Sequence, residues 1–189
     1  MARFAGLRRE ARVEPAPAAS GWCVSTIARV PEVADDVRAL RLDGYVYPAG
    51  SLHISLMGCT PREQVPPTLE RARAIARAVR PAIERFEAVP VEIGRLNVLG
   101  AQAFLEVVTD SPDWAAMRIA VADAAEALGE QPIRYADAEP MHLNVARVDT
   151  LPDLDQGIDR RLELSRIEVV ITDFVVSPET LTVVDLIRI

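Results

Sequence analysis

An α+β fold built as two pseudo-symmetric halves is what this sequence predicts, and three observations carry it. Stretches with the two-residue apolar alternation of strands are interleaved with stretches at helical spacing, the mixed pattern of an α+β chain. Their order is strand, helix, strand, helix, two strands, then helix, strand, helix, two strands, a coarse internal duplication. The only two histidines fall at corresponding points of the two halves. With 189 residues, 50% of them hydrophobic and 26% charged, the composition is that of a globular unit.

Residues 1–20 hold Arg3, Arg8, Arg9 and Arg12 and then a Pro/Ala-rich stretch with no apolar period, so they read as a flexible N-terminal arm before a folded region 21–189. Cys23 to Val30 reads as a strand. Pro31 to Leu42 reads as a short helix, with Pro31 at its entrance, Val33, Val37 and Leu40 on one face, and Asp43 and Gly44 as its stop. Leu52 to Met57 is a second strand, closed by Gly58 and Pro61. Thr68 to Phe86 is a helix whose apolar face is Leu69, Ala72, Ala76, Val79 and Ile83, with Pro81 expected to kink or shorten it. Its arginines, from Arg71 to Arg85, read as a solvated face.

Val89 to Leu99 and Ala103 to Thr109 are strands joined by a turn at Gly100. Ser111 caps the next helix, Pro112 fits its first position, Trp114, Met117, Val121, Ala124 and Leu128 form its buried stripe, and Gly129 ends it. Met141 to Val148 is a strand and Pro152 to Leu164 a weak helix. Ile167 to Val176 and Leu181 to Ile189 make a closing pair of strands.

The charges are 21 basic against 28 acidic residues, net −7, which disfavours non-specific binding to a phosphate backbone and argues against an extended nucleic-acid surface. Every basic residue is arginine. Without lysine there is no phosphate-loop lysine, no Schiff base and no lysyl-nucleotidyl intermediate, so ATP-driven ligation is disfavoured. Cys23 and Cys59 lack a C-x-x-C spacing and read as reduced and buried. No apolar run reaches the roughly 20 residues of a membrane span, and no secretory leader is visible, which predicts a cytoplasmic protein.

The two histidine segments read Leu52-His53-Ile54-Ser55-Leu56 and Met141-His142-Leu143-Asn144-Val145. On a strand alternate side chains share a face, so His53 goes with Ser55 and His142 with Asn144. Each strand then offers an imidazole beside a neutral hydrogen-bond donor. A lone histidine on an apolar strand is ordinarily a core residue bonded to a carbonyl. Two copies in the same setting, each followed two residues later by a polar group, point instead to a shared site for acid–base chemistry on a phosphate.

These segments resemble the 2H phosphoesterase superfamily, named for two His-x-(Ser/Thr) motifs, and in particular its bacterial RNA 2′,3′-cyclic phosphodiesterase branch, historically called 2′-5′ RNA ligase. The resemblance covers roughly residues 22–189: LHISLMG for the first motif, HLNVAR including Arg147 for the second, and FVVSPETLTVVDLIRI for the closing strands. The departure is Asn144 where the family has Ser or Thr; an amide N–H still donates to a phosphoryl oxygen. The resemblance implies two antiparallel lobes with helices outside, the histidines facing each other across a cleft, and a hydrolase that uses no metal and no cofactor. It implies His142 as base, His53 as acid, and Ser55 and Asn144 as phosphate ligands. Its substrate would be a small cyclic phosphate or an RNA terminus.

Other residues have two readings. Tyr45, Tyr47 and Tyr135 precede the motifs and could stack on a base or bond a ribose, or simply pack. Arg147 falls opposite His142 if its strand stays regular, which reads as a structural ion pair. Asp137 and Glu139 could orient His142 or be solvated. Two histidines on separate strands with no preset carboxylate do not make a metal site. The alternative to catalysis is a non-catalytic module holding a nucleotide or phosphorylated metabolite in the same place, the reading that Asn144 favours.

Overall fold

The computed structural model describes residues 21–133, 141–173 and 181–189. The N-terminal arm and the segment with Tyr135, Asp137 and Glu139 lie outside them. The strands are β1 (Cys23–Arg29), β2 (Gly44–Val46), β3 (His53–Gly58), β4 (Val89–Leu99), β5 (Gln102–Val108), β6 (His142–Val148), β7 (Gly157–Leu164), β8 (Arg166–Thr172) and β9 (Thr182–Arg188). The helices are α1 (Ala34–Ala39), α2 (Leu69–Ile83) and α3 (Asp113–Glu126), with 3-10 turns at Pro31–Val33 and Ala49–Ser51. All the pairs between these strands are antiparallel.

The sheet runs β7-β4-β5-β6-β3-β1-β8-β9, with β2 added beside β6. The two histidine strands are therefore neighbours at its centre, and the pair Ile54↔Leu143 joins the halves. Outward from that seam the halves correspond strand for strand: β5 to β1, β4 to β8, β7 to β9. This is not the duplication read from the element order: β4 and β5 of the first sequence half flank β6, while β8 and β9 of the second lie beyond β1, and the described residues form an α+β molecule with one large antiparallel sheet.

Alternation decides which face is core. Ile54, Leu143 and Leu105 are fully buried on the face that carries the helices. Helix α2 packs against α3, β8 and β9, and its Arg80 reaches Asp185 of β9. Thr68 accepts from the Arg71 backbone N–H as the N-cap of α2, and Arg71 makes ion pairs with Glu63 and Glu130. Two arginines of the supposedly solvated face thus pin the helix to its neighbours. Pro81 lies inside the last turn of α2 without ending it before Ile83. On the other half, Asp36 of α1 pairs with Arg160 of β7 at 2.8 Å. Both cysteines are free and buried, and burial pushes the Cys59 thiol up to about 12, which keeps it unreactive.

Two elements differ from expectation: β2 is a strand that the sequence pattern did not predict, and one further segment takes another form. The weak helix placed at Pro152 to Leu164 is the edge strand β7, paired along β4 from Val89↔Leu164 to Arg95↔Gly157. Ile158, Leu162 and Leu164 alternate toward the protein, while Asp159, Arg161 and Glu163 lie in solvent, as suits a strand with one free edge.

Gly44 opens β2 at φ +117°, and a Cβ there would stand 2.2 Å from the Arg147 carbonyl oxygen. Both the left-handed backbone and the close approach require glycine. Gly44→Ala is expected to cost about 1–3 kcal/mol, read as a lowered midpoint in thermal unfolding.

Candidate active site

Directly paired residues in an antiparallel sheet share a face. Arg29↔His53 and Ile27↔Ser55 place His53 and Ser55 on the face away from the helices. Glu106↔His142 and Phe104↔Asn144 do the same for His142 and Asn144. Continuing the register from Ile54↔Leu143 sets His53 across from Asn144 and Ser55 across from His142. The four predicted residues thus form a two-by-two array. Its imidazoles sit on a diagonal, a relation that separates Cα atoms by about 7–8 Å in antiparallel sheets.

The two rings differ in setting. His53 is only 4% exposed, and its Nδ1 lies 2.7 Å from the Ser51 carbonyl oxygen. A carbonyl can only accept, so in the neutral ring Nδ1 carries the hydrogen and Nε2 is left as a proton acceptor. Burial is the main cause that lowers the His53 pKa from 6.5 to about 4; the Ser51 carbonyl opposes it, and the charge of His142 adds to it. His142 is half-buried and meets Phe104 edge to face with 5.6 Å between ring centroids.

Arg147 is the residue whose face sequence reasoning got wrong. In the pairing of β5 with β6 the register shifts between Ala103↔Ala146 and Phe104↔Asn144, so Val145 is an extra residue, a β-bulge. The bulge reverses the alternation beyond it. Arg147, paired with Gln102 and Tyr45, therefore returns to the face of His142 and Asn144. Its Nε is buried without a hydrogen-bond partner, so the structural ion pair expected of it is absent among the described residues. The sequence signal was the odd spacing of five between His142 and Arg147. A matching shift in β1–β3 makes Leu56 the extra residue, and Gly58 there stands where Arg147 stands in β6.

Strand β2 and the residue after it bring two tyrosines to the same region. Tyr45, 52% exposed, lies directly across from Arg147. Tyr47 is buried, meets Tyr45 edge to face at 5.6 Å and shares a 3.4 Å hydrogen bond with Gln102. Burial raises the Tyr47 pKa, which keeps its hydroxyl protonated. Tyr135, Asp137 and Glu139 lie outside the described residues. Chemically the array offers two imidazoles, a hydroxyl, an amide and a guanidinium within a few strand positions, a set of groups that suits a phosphoryl group and proton transfer around it.

Among the described residues no group of three His, Cys, Asp or Glu side chains could hold a metal ion, and no helix is long and apolar enough to cross a membrane. No curated protein sequence matches the chain. The sequence profile of the 2′-5′ RNA ligase superfamily matches residues 29–177. Among solved structures, LigT of E. coli in complex with NADP+ superposes with a TM-score of 0.62 at 10% identity, covering 90% of this chain and 99% of that one. The same protein with 3′-AMP gives 0.61 at 11% identity, again over 90% and 99%. TT0787 of Thermus thermophilus gives 0.60 at 15% identity over 88% of this chain and 97% of that one. At these identities the likeness establishes the fold.

Proposed function

We propose that this chain, which belongs to the 2′-5′ RNA ligase superfamily, is a metal-independent phosphoesterase that hydrolyses the 2′,3′-cyclic phosphates of RNA ends or small nucleotides. The observation that carries the reading is the shared face of His53, Ser55, His142 and Asn144 on adjacent central strands. E. coli LigT has been solved with 3′-AMP and with NADP+, and ligands of that nucleotide class are the substrates we carry over to this chain.

In ring opening, one imidazole takes a proton from water as its oxygen attacks phosphorus. The other gives a proton to the ribose oxygen as its bond to phosphorus breaks, leaving a phosphomonoester. In this chain the bare Nε2 of His53 suits the base, which leaves His142 as acid, the reverse of the assignment the resemblance implies. Ser55 and Asn144 donate to the non-bridging oxygens, and Arg147 answers their growing charge. Tyr45, with its exposed ring, is the surface for a base or ribose.

The direct test is hydrolysis of a 2′,3′-cyclic mononucleotide in EDTA; no turnover, or turnover only with added metal, sinks the reading. Arg147→Met is expected to lower kcat/KM about 10–100-fold, the worth of a charge-assisted hydrogen bond, with the loss falling mainly on kcat, read from Michaelis kinetics. The second reading, a binding module without turnover, is favoured by Asn144. It predicts nucleotide binding by calorimetry with no hydrolysis, and no activity gained in Asn144→Thr.

A further inference from the structure

His53 pairs across β3–β1 with Arg29, whose Nε donates to Glu168 of β8 at 2.8 Å. Glu168 is paired with Ile27, and continuing that register by two residues to the ends of β1 and β8 sets Arg166 beside Arg29. Arg166 in turn is paired with Arg188 of β9. His53, Arg29, Arg166 and Arg188 therefore form one row across four adjacent strands, all on the face of the histidines. Three interstrand steps make the row about 14 Å long.

Two properties set this row apart from a solvated charge run. Arg166 and Arg188 stand directly opposite each other, an arrangement of like charges that weakens a sheet. Both are exposed, and among the described residues no carboxylate pairs either guanidinium. The corresponding row on the other half starts with Glu106 beside His142, where this one has Arg29, in a chain of net −7. Guanidinium groups match phosphodiester oxygens in fork geometry.

We propose that Arg29, Arg166 and Arg188 hold the backbone phosphates of a short single-stranded RNA whose 2′,3′-cyclic end lies between the histidines. The proposal rests on the phosphoesterase reading and narrows its substrate to an oligonucleotide terminus. The row has room for a trinucleotide.

The test compares binding of 3′-AMP with that of a trinucleotide ending in a 3′-phosphate, by calorimetry at low salt. The trinucleotide is expected to bind about tenfold or more tightly. In the double variant Arg166→Gln, Arg188→Gln that ratio is expected to fall by about threefold or more, Arg29 keeping its own contact. The salt slope for the trinucleotide should flatten by about 1.4, the contribution of two single-strand phosphates. Arg166→Lys, Arg188→Lys should keep most of the ratio. Equal affinities in the wild type, or a ratio unchanged in the glutamine variant, overturn the proposal. Turnover is scored separately: a wild-type protein that keeps the binding ratio but hydrolyses neither a cyclic mononucleotide nor a cyclic-ended trinucleotide loses the phosphoesterase reading and keeps the row.

Discussion

Alanine at His142 is expected to reduce kcat/KM on a 2′,3′-cyclic mononucleotide by about 10²–10⁴-fold, the usual worth of a positioned proton donor. The same variant should lose far less on a nitrophenyl phosphodiester, whose leaving group departs without a proton. His53→Ala should lose a comparable factor on both substrates, because every hydrolysis needs its water activated. The asymmetry follows from the anchoring of His53 Nδ1 on the Ser51 carbonyl, which fixes Nε2 as the acceptor. If His53→Ala is the variant rescued by the activated ester, the roles are reversed while the phosphoesterase reading stands. Circular dichroism on both variants checks that the fold persists, as it should for polar residues on the face away from the helices.

Acid should weaken the fold through the same ring. The unfolded chain protonates His53 near pH 6.5 and the folded chain only near 4, so between those values the unfolded state binds more protons. Stability from this group is full above pH 6.5 and is lost as the pH falls toward 4, by about 3 kcal/mol for a shift of this size. Carboxylates titrate over part of the same window, so the measurement is a difference. Urea unfolding at a series of pH values should show the wild type losing about 3 kcal/mol more than His53→Gln on acidification. Parallel curves for the two proteins would mean that the ring is not held neutral by burial.

The elements that were legible in the sequence are those whose two faces differ in polarity. His53, Ser55, His142 and Asn144 alternate with Leu52, Ile54, Leu143 and Val145, so strand periodicity alone gave their common orientation. Helices α2 and α3 followed from their apolar stripes and from Thr68, Ser111 and Gly129 at their ends, although Leu69 and Leu128, placed in those stripes, lie at the helix ends and are exposed. Edge strand β7 was misread because Asp159, Arg160, Arg161 and Glu163 dilute its alternation; half of it faces water, and its partner strand lies far away in sequence. Arg147 was misread for a different reason. A bulge adds a residue without any mark in composition, and every face assignment beyond it inverts. Pairing across the seam was equally invisible, since Ile54↔Leu143 brings together residues that no local pattern relates.

The paired bulges at Leu56 and Val145 give each motif a hidden metre: offsets of zero, two and five residues, rather than zero, two and four, point the same way. At offset five one half spells Arg147 and the other Gly58, whose missing side chain is replaced by Ile133 folding over it. Two histidine strands that otherwise match thereby acquire a head and a tail: an anion lying along the array meets a guanidinium at one end and an aliphatic side chain at the other.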